Sequence, residues 1–337
     1  MPGAGCDLLR KLVLFYLFFM MFGMLVVPSL LARGCTVVPS KTWPPQVPLS
    51  INLYSHSSGT LLTLDLEDYV IGVVAAEMPA LFHPEALKAQ AIAARTYAVI
   101  RMRAFGGSGV ECHPEADICD EPSHVQAWIS ESEAKARWGA LAAARNWAKI
   151  EDAVRQTHGL IVTHRGLPID PVYHSTCGGR TEDSEAVWQK ALPYLRSVEC
   201  LGCKDSPRMY SVVEMSLTEF ASRLDEQASG IPVMARLEGR KVIEVLKSSA
   251  SGRLIDLSVG GIRLKGTELR KLLGLDSTKI GWEVSADSIR FSVTGYGHGV
   301  GMCQYGADGM ARQGYTAEQI LAHYFTGTRV QSMFESR

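Results

Sequence analysis

Neither sign of charge predominates in this chain of 337 residues: 34 lysines and arginines face 35 aspartates and glutamates. Without a basic excess, no electrostatic footprint points to nucleic acid. No internal repeat or low-complexity tract appears, which excludes solenoid and fibrous architectures. Long runs that are both uncharged and strongly apolar are also scarce, with one exception. From Leu12 to Ala32 there are 21 residues without a charge, flanked by Arg10-Lys11 and Arg33.

That length suits a helix crossing the hydrocarbon core, which needs about 20 residues. A signal peptide fits less well, because its apolar region is usually about 7–15 residues and a small-x-small cleavage site is hard to find. "LARGC" at Leu31–Cys35 is a poor lipoprotein site because of Arg33. Arg10 and Lys11 on the short side place the bulk of the chain outside the cytoplasm. Residues 1–33 are therefore expected to be a cytoplasmic stub and membrane anchor. Residues 34–50, rich in proline, form a tether. The globular domain spans 51–330.

Within the domain, Ile51 to Thr63 alternates as a strand pair turning at "SHSSGT". Asp65 to Met78 carries apolar residues at helical spacing, with acidic residues in its first turn and Pro79 ending it. Pro84 starts a second, alanine-rich helix to about Arg103. Ser130 and Glu133 form a capping box for a helix to Thr157. A hairpin turns at Arg165-Gly166, strands run over 242–249 and 254–259, and short helices over 217–224, 267–273 and 317–324. Helices come early and strands late. The expected class is α+β, with a mostly helical N-terminal half packed on a strand-rich C-terminal half and a substrate groove between them.

Four stretches in order, "LEDYVIGVVAAEMP" with "HPEALKAQAIAARTYAV", "YHSTCGGRTEDSEAVW", "KGTELRKLLGL" and "GYGHGVGMCQYGADGMA", resemble the stage II sporulation protein D family. That family is related to the amidase-enhancer proteins of bacterial cell-wall turnover. The resemblance runs from about residue 50 to 330. It implies a membrane-anchored lytic transglycosylase that cleaves peptidoglycan glycan strands lacking stem peptides during forespore engulfment. It also implies a peptidoglycan amidase and a membrane scaffold protein as partners. The glutamate of "AAEMP" is the family's catalytic residue, and here it is Glu77.

The chemistry is compatible with one carboxyl. Glycosidic cleavage needs a proton on the leaving oxygen, and hydrolases usually bring a second carboxylate. In a lytic transglycosylase the muramic acid C6 hydroxyl is the nucleophile, so the same side chain gives a proton and then takes one back. Such a group benefits from a pKa above the ordinary value of about 4.3. Val73, Val74, Met78, Leu81 and Phe82 are the sequence neighbours able to desolvate it. The other reading of the family is a non-catalytic glycan-binding activator of an amidase.

Arg95 stands where the family carries an arginine. It either binds substrate oxygens, positions Glu77, or pairs structurally with Asp65, Glu67 or Asp68. By resemblance, His174, Ser175, Gly178 and Gly179 in one loop and His298, Gln304 and Tyr305 in the other line the glycan groove. Their alternative role is hydrogen bonding that holds irregular loops together. The glycine register is not G-x-G-x-x-G and no strand-to-helix nucleotide unit surrounds it, which excludes a phosphate cradle.

"ECHPEADICDEPSH" brings Cys112, His113, Cys119 and His124 into one short loop, a donor set suited to a structural Zn2+. Some family members hold zinc here with two His and two Cys. The second Cys, directly after the last His, is replaced by Val125, so the fourth ligand stays open. Free thiols or a Cys112–Cys119 disulfide are the competing readings. No cofactor is required for the bond cleavage itself. Cys200 and Cys203 form a C-x-x-C pair without a thioredoxin-like context. Cys177 has a disulfide to either of them as one option, and Cys303 reads as a small buried or groove residue.

Overall fold

The computed structural model describes residues 49–121, 125–200, 202–225 and 242–334, together with Phe15, Tyr16 and Met20. Two compact units are present, Met1–Val47 and Pro48–Arg337. In the first, Phe15, Tyr16 and Met20 are helical and exposed. No helix of the described residues is long and apolar enough to cross a membrane. The span expected at 12–32 otherwise lies outside the described residues, as does nearly all of the tether.

The second unit opens with a hairpin of β1 (Ser50–Ser55) and β2 (Thr60–Asp65), and β1 also pairs in parallel with β3 (Ile118–Cys119). Asp65 then caps α1 (Leu66–Glu77), accepting the Glu67 amide at 2.9 Å. Helix α2 (Pro84–Val99) has proline in its first turn and buries six alanines, which let neighbouring elements approach on several sides. The capping box at Ser130 and Glu133 forms as expected, but it opens only the short α3 (Glu131–Trp138). Gly139, at φ 73°, breaks the run, and α4 (Ala140–Gln156) starts afresh. The hairpin of β4 (Leu160–His164) and β5 (Leu167–Pro168) turns through Arg165 and Gly166, both with positive φ as such a tight turn requires.

Two short strands then matter most for the site. β6 (Tyr173–His174) pairs in parallel with β13 (Met302–Cys303), joining segments far apart in sequence. Between them come the short helix α5 (Ser184–Val187) and a strand-rich lobe. That lobe holds the sheets β11-β12-β7 and β10-β9-β8, formed by β7 (Tyr210–Ser216), β8 (Ile243–Ser248), β9 (Leu254–Val259), β10 (Ile262–Lys265), β11 (Ile280–Val284) and β12 (Ser288–Thr294). Helices α6 (Leu217–Asp225) and α7 (Gly266–Leu273) complete it around Phe220, Leu257, Ile289 and Phe291. After β13 come α8 (Gln304–Arg312), α9 (Ala317–Tyr324) and β14 (Arg329–Ser332), which pairs with β4.

The class is α+β, yet the expected split into an N-terminal and a C-terminal half does not hold. Ile320, Leu321, Tyr324 and Phe325 pack in the same core as α1 and α2. The strand-rich part is a lobe inserted between, with its own core.

At the centre of the larger core Arg95 is fully buried and paired with Glu67, Nε to Oε1 at 2.7 Å and Nη2 to Oε2 at 2.5 Å. Its Nη1 donates to the Leu160 carbonyl (3.1 Å) and its Nη2 also to the Val154 carbonyl (3.2 Å). This one guanidinium ties α1, α2, α4 and β4. Of the three roles expected of Arg95, the geometry shows the structural pairing with Glu67. Removing one partner of a buried pair strands a charge. Arg95→Met is expected to lower unfolding free energy by about 3–5 kcal/mol, measured by urea denaturation, with a smaller loss in the Arg95→Met/Glu67→Met double variant.

Candidate active site around Glu77

Glu77 is the last residue of α1, half-buried where the chain turns away at Met78 and Pro79. The segment 125–130 crosses α1 next to it. Gly72 permits that crossing: a β-carbon there would stand 2.6 Å from the Ile129 carbonyl oxygen. The Ala127 amide consequently reaches Glu77 Oε1 at 2.7 Å. The Gln304 side chain, from the first residue of α8, is the second hydrogen-bond partner of the carboxyl. Val73, Val74, Met78 and Phe82 are buried as the sequence suggests, whereas Leu81 faces solvent.

Burial pushes the Glu77 pKa above the ordinary glutamate value, and the Ala127 amide and Gln304 only partly oppose it. Arg95 is absent from these influences because Glu67 occupies it. The surrounding hydroxyls stay protonated: burial raises Tyr97 to about 12 and carries Tyr69 and Tyr173 higher still, with Glu77 adding to all three. Gln126 links two of them, donating to the Tyr69 hydroxyl (2.9 Å) and accepting from that of Tyr173 (2.8 Å). Neither Ala127 nor Gln126 lies in a motif that singles it out in the sequence, whereas Tyr173 opens the stretch "YHSTCGGRTEDSEAVW".

The two glycine-bearing loops meet through β6 and β13. Tyr305 donates its amide to the Ser175 carbonyl (3.1 Å) and sets its ring edge-on against Phe82 at 4.9 Å. His298 Nδ1 accepts the Val300 amide (3.1 Å), so Nε2 carries the proton and donates to the Tyr173 carbonyl (2.9 Å). Burial holds its pKa down to about 4. His174 is buried and likewise held neutral, Nδ1 donating to the Val300 carbonyl (3.1 Å) while Nε2 is without a partner among the described residues. Gly178 and Gly179 both have positive φ, and their carbonyls accept from Lys279 Nζ and the Cys200 amide, both at 2.9 Å. Trp188 tilts against His298 at 5.1 Å.

Arg253 is a residue the sequence reading misses. It is buried and donates to the Gly297 carbonyl (3.3 Å) and the Cys177 carbonyl (2.9 Å), one in each loop. Gly299 must be glycine beside it, since a β-carbon would lie 2.7 Å from the guanidinium. An open depression of about 500 Å3 is bordered by Cys200, Met310, Tyr315 and His323, and no hydrogen-bond partner of Glu77 lines it.

The chain is 38% identical over 283 residues to stage II sporulation protein D of Bacillus subtilis (strain 168), spanning 84% of this chain and 79% of that protein. It belongs to the stage II sporulation protein D family. Stage II sporulation protein D of Bacillus amyloliquefaciens matches to the same extent. Residues 54–164 also match the family model described as Stage II sporulation protein. An amidase enhancer of Bacillus subtilis is 28% identical over 308 residues, covering 77% of this chain but 40% of that protein. Within the stage II sporulation protein D family's matched segment lie Glu77, Arg95 and Ala127.

The segment expected to bind zinc lies partly outside the described residues, His124 included. His113 stacks on Tyr54 at 3.5 Å between ring centroids, with its Nε2 3.3 Å from His56 Nε2. Cys112 is exposed and Cys119 buried. Among the described residues, convergent metal-ligating atoms occur elsewhere, in Cys177, Cys200, Cys203 and Cys303.

Gln304 lowers the pKa of Glu77 by hydrogen bonding to the charged form. Gln304→Leu is therefore expected to shift the Glu77 titration, followed by carboxyl 13C NMR, to higher pH. An unchanged or lower value contradicts the geometry.

Proposed function

We propose that the chain is a membrane-anchored lytic transglycosylase, acting outside the cytoplasm on peptidoglycan glycan strands in sporulation. The observation that carries this reading is the half-buried Glu77 carboxyl, held by the Ala127 amide and Gln304 with its pKa raised by burial. Among the described groups that shift it, none is charged. Family membership supports the process; the carboxyl's surroundings support the reaction.

Oε1 is committed to the Ala127 amide, so the proton resides on the other oxygen. That proton passes to the glycosidic oxygen as the C1–O bond breaks and charge develops on the sugar. The muramic acid C6 hydroxyl then closes on C1 and returns its proton to Glu77. The carboxyl ends as it began, and the product is a 1,6-anhydro end, lighter by one water than a hydrolysis product. Positioned proton transfer of this kind contributes about 10²–10⁴-fold to rate. Ser175 and Tyr305, both only partly buried, are the loop groups we assign to the sugar's amides and hydroxyls.

An amidase-activating role is the second reading, favoured by the relative named amidase enhancer. The partners of the first reading, a peptidoglycan amidase and a membrane scaffold protein, are compatible with either. Glu77→Gln separates the two. With peptide-free glycan strands and mass spectrometry of the product ends, anhydro products are expected to fall by about 10²–10⁴-fold; undiminished release excludes catalysis by Glu77.

Cleavage begins from the protonated carboxyl, so activity is expected to decline as pH rises through the raised Glu77 pKa, above about 4.3. Stability follows the same sign. The folded state disfavours the buried carboxylate, so the contribution of Glu77 is complete below its unfolded pKa and is lost as pH rises through the folded one. Glu77→Gln should match the wild-type Tm at low pH and exceed it near neutrality. A variant less stable than wild type near neutrality contradicts the burial argument.

A further inference from the structure

Cys177, Cys200, Cys203 and Cys303 are all buried, and their four sulfurs lie within 4.8 Å of one another. They come from three separate segments: the loop after β6, the stretch that carries Cys200 and Cys203, and the cap of α8. The Cys177 and Cys203 sulfurs are 3.5 Å apart, too far for a disulfide at about 2.05 Å. Four sulfurs around one ion at about 2.3 Å stand roughly 3.8 Å from each other, which is the spacing a tetrahedral site demands.

Hydrogen-bonding groups reach two of the sulfurs. Cys303 Sγ receives the Cys177 amide (3.3 Å) and the Gly306 amide (3.4 Å). Cys200 Sγ lies 3.1 Å from the Tyr324 hydroxyl. Arg253 is buried against the cluster, donating to the Cys177 carbonyl at 2.9 Å, with its Nε unpartnered among the described residues. A buried cation beside four sulfurs suits a site of net negative charge. The cradle is also tightly built. A β-carbon on Gly202 would stand 2.7 Å from the Gly306 carbonyl, and one on Gly306 would collide with the Cys200 sulfur and the Tyr324 hydroxyl.

We propose that Cys177, Cys200, Cys203 and Cys303 form a tetrathiolate site for one structural zinc ion. Sulfur-only tetrahedral coordination selects zinc or iron, and zinc undergoes no redox change outside the cell. Binding replaces four thiol protons, which leave to solvent, and gives a site of charge −2. The ion would clasp both glycine-bearing loops, with Gln304 next to one ligand and Gly178 next to another. The proposal stands apart from the reaction at Glu77.

The test uses the full chain in detergent, purified without chelators, with metal measured by mass spectrometry. A Cys112→Ser/His113→Ala variant is expected to retain about one zinc per chain, with X-ray absorption showing four sulfurs at about 2.3 Å. Cys200→Ser/Cys203→Ser is expected to hold less than a tenth of that and to melt at lower temperature. Nitrogen or oxygen scatterers in the first variant overturn the proposal even if the second fails to fold. So do retention of zinc by Cys200→Ser/Cys203→Ser, iron in place of zinc, or a metal-free wild-type chain with a Cys177–Cys203 disulfide.

Discussion

The buried pair of Arg95 and Glu67 is the constraint on which the rest of this domain rests. Burying two charges is costly unless the geometry is close and the remaining donors are satisfied. Here the guanidinium meets the carboxylate through two atoms and spends its other donors on carbonyls of α4 and β4. The Gly159 amide completes the arrangement on Glu67 Oε1 at 3.4 Å. Because Glu67 stands at the start of α1 and Glu77 at its end, fixing the first orients the second.

The second requirement is that two loops distant in sequence come together. Two backbone pairings of β6 with β13 do this, supported by the bridge between Thr176 and Tyr296. Arg253 then joins the loops by one carbonyl from each, and Gly299, at positive φ, leaves space for its guanidinium. A lobe with its own apolar core supplies that arginine, which gives the strand-rich insertion a direct part in shaping the site.

Much of the local structure was legible in the chain. Asp65 capping α1, Pro84 opening α2, the Ser130–Glu133 box, the Arg165-Gly166 turn and the helix at Ala317–Tyr324 all follow from near-neighbour chemistry. Less was legible where local signals compete. Gly139 splits a helix that its flanks would continue, and α8 forms inside a run whose glycines suggest a loop. Strands β7, β11 and β12 lack flanking turn signals strong enough to mark them, although Ile289, Phe291 and Val293 alternate inward along β12. The contrast between halves misled because α8 and α9 return to the first core.

The order of residues alone determined that a single carboxyl ends an apolar helix, that an arginine follows on the next one, and that glycine-rich segments lie far downstream. These are properties of composition and short-range spacing, set within a few turns of backbone. Only the tertiary structure decided that Arg95 meets Glu67 rather than Glu77, that Ala127 and Gln304 receive the carboxyl, and that four scattered cysteines share one buried point. Those partners are joined by packing, in which close approach and burial select among contacts that sequence distance cannot rank.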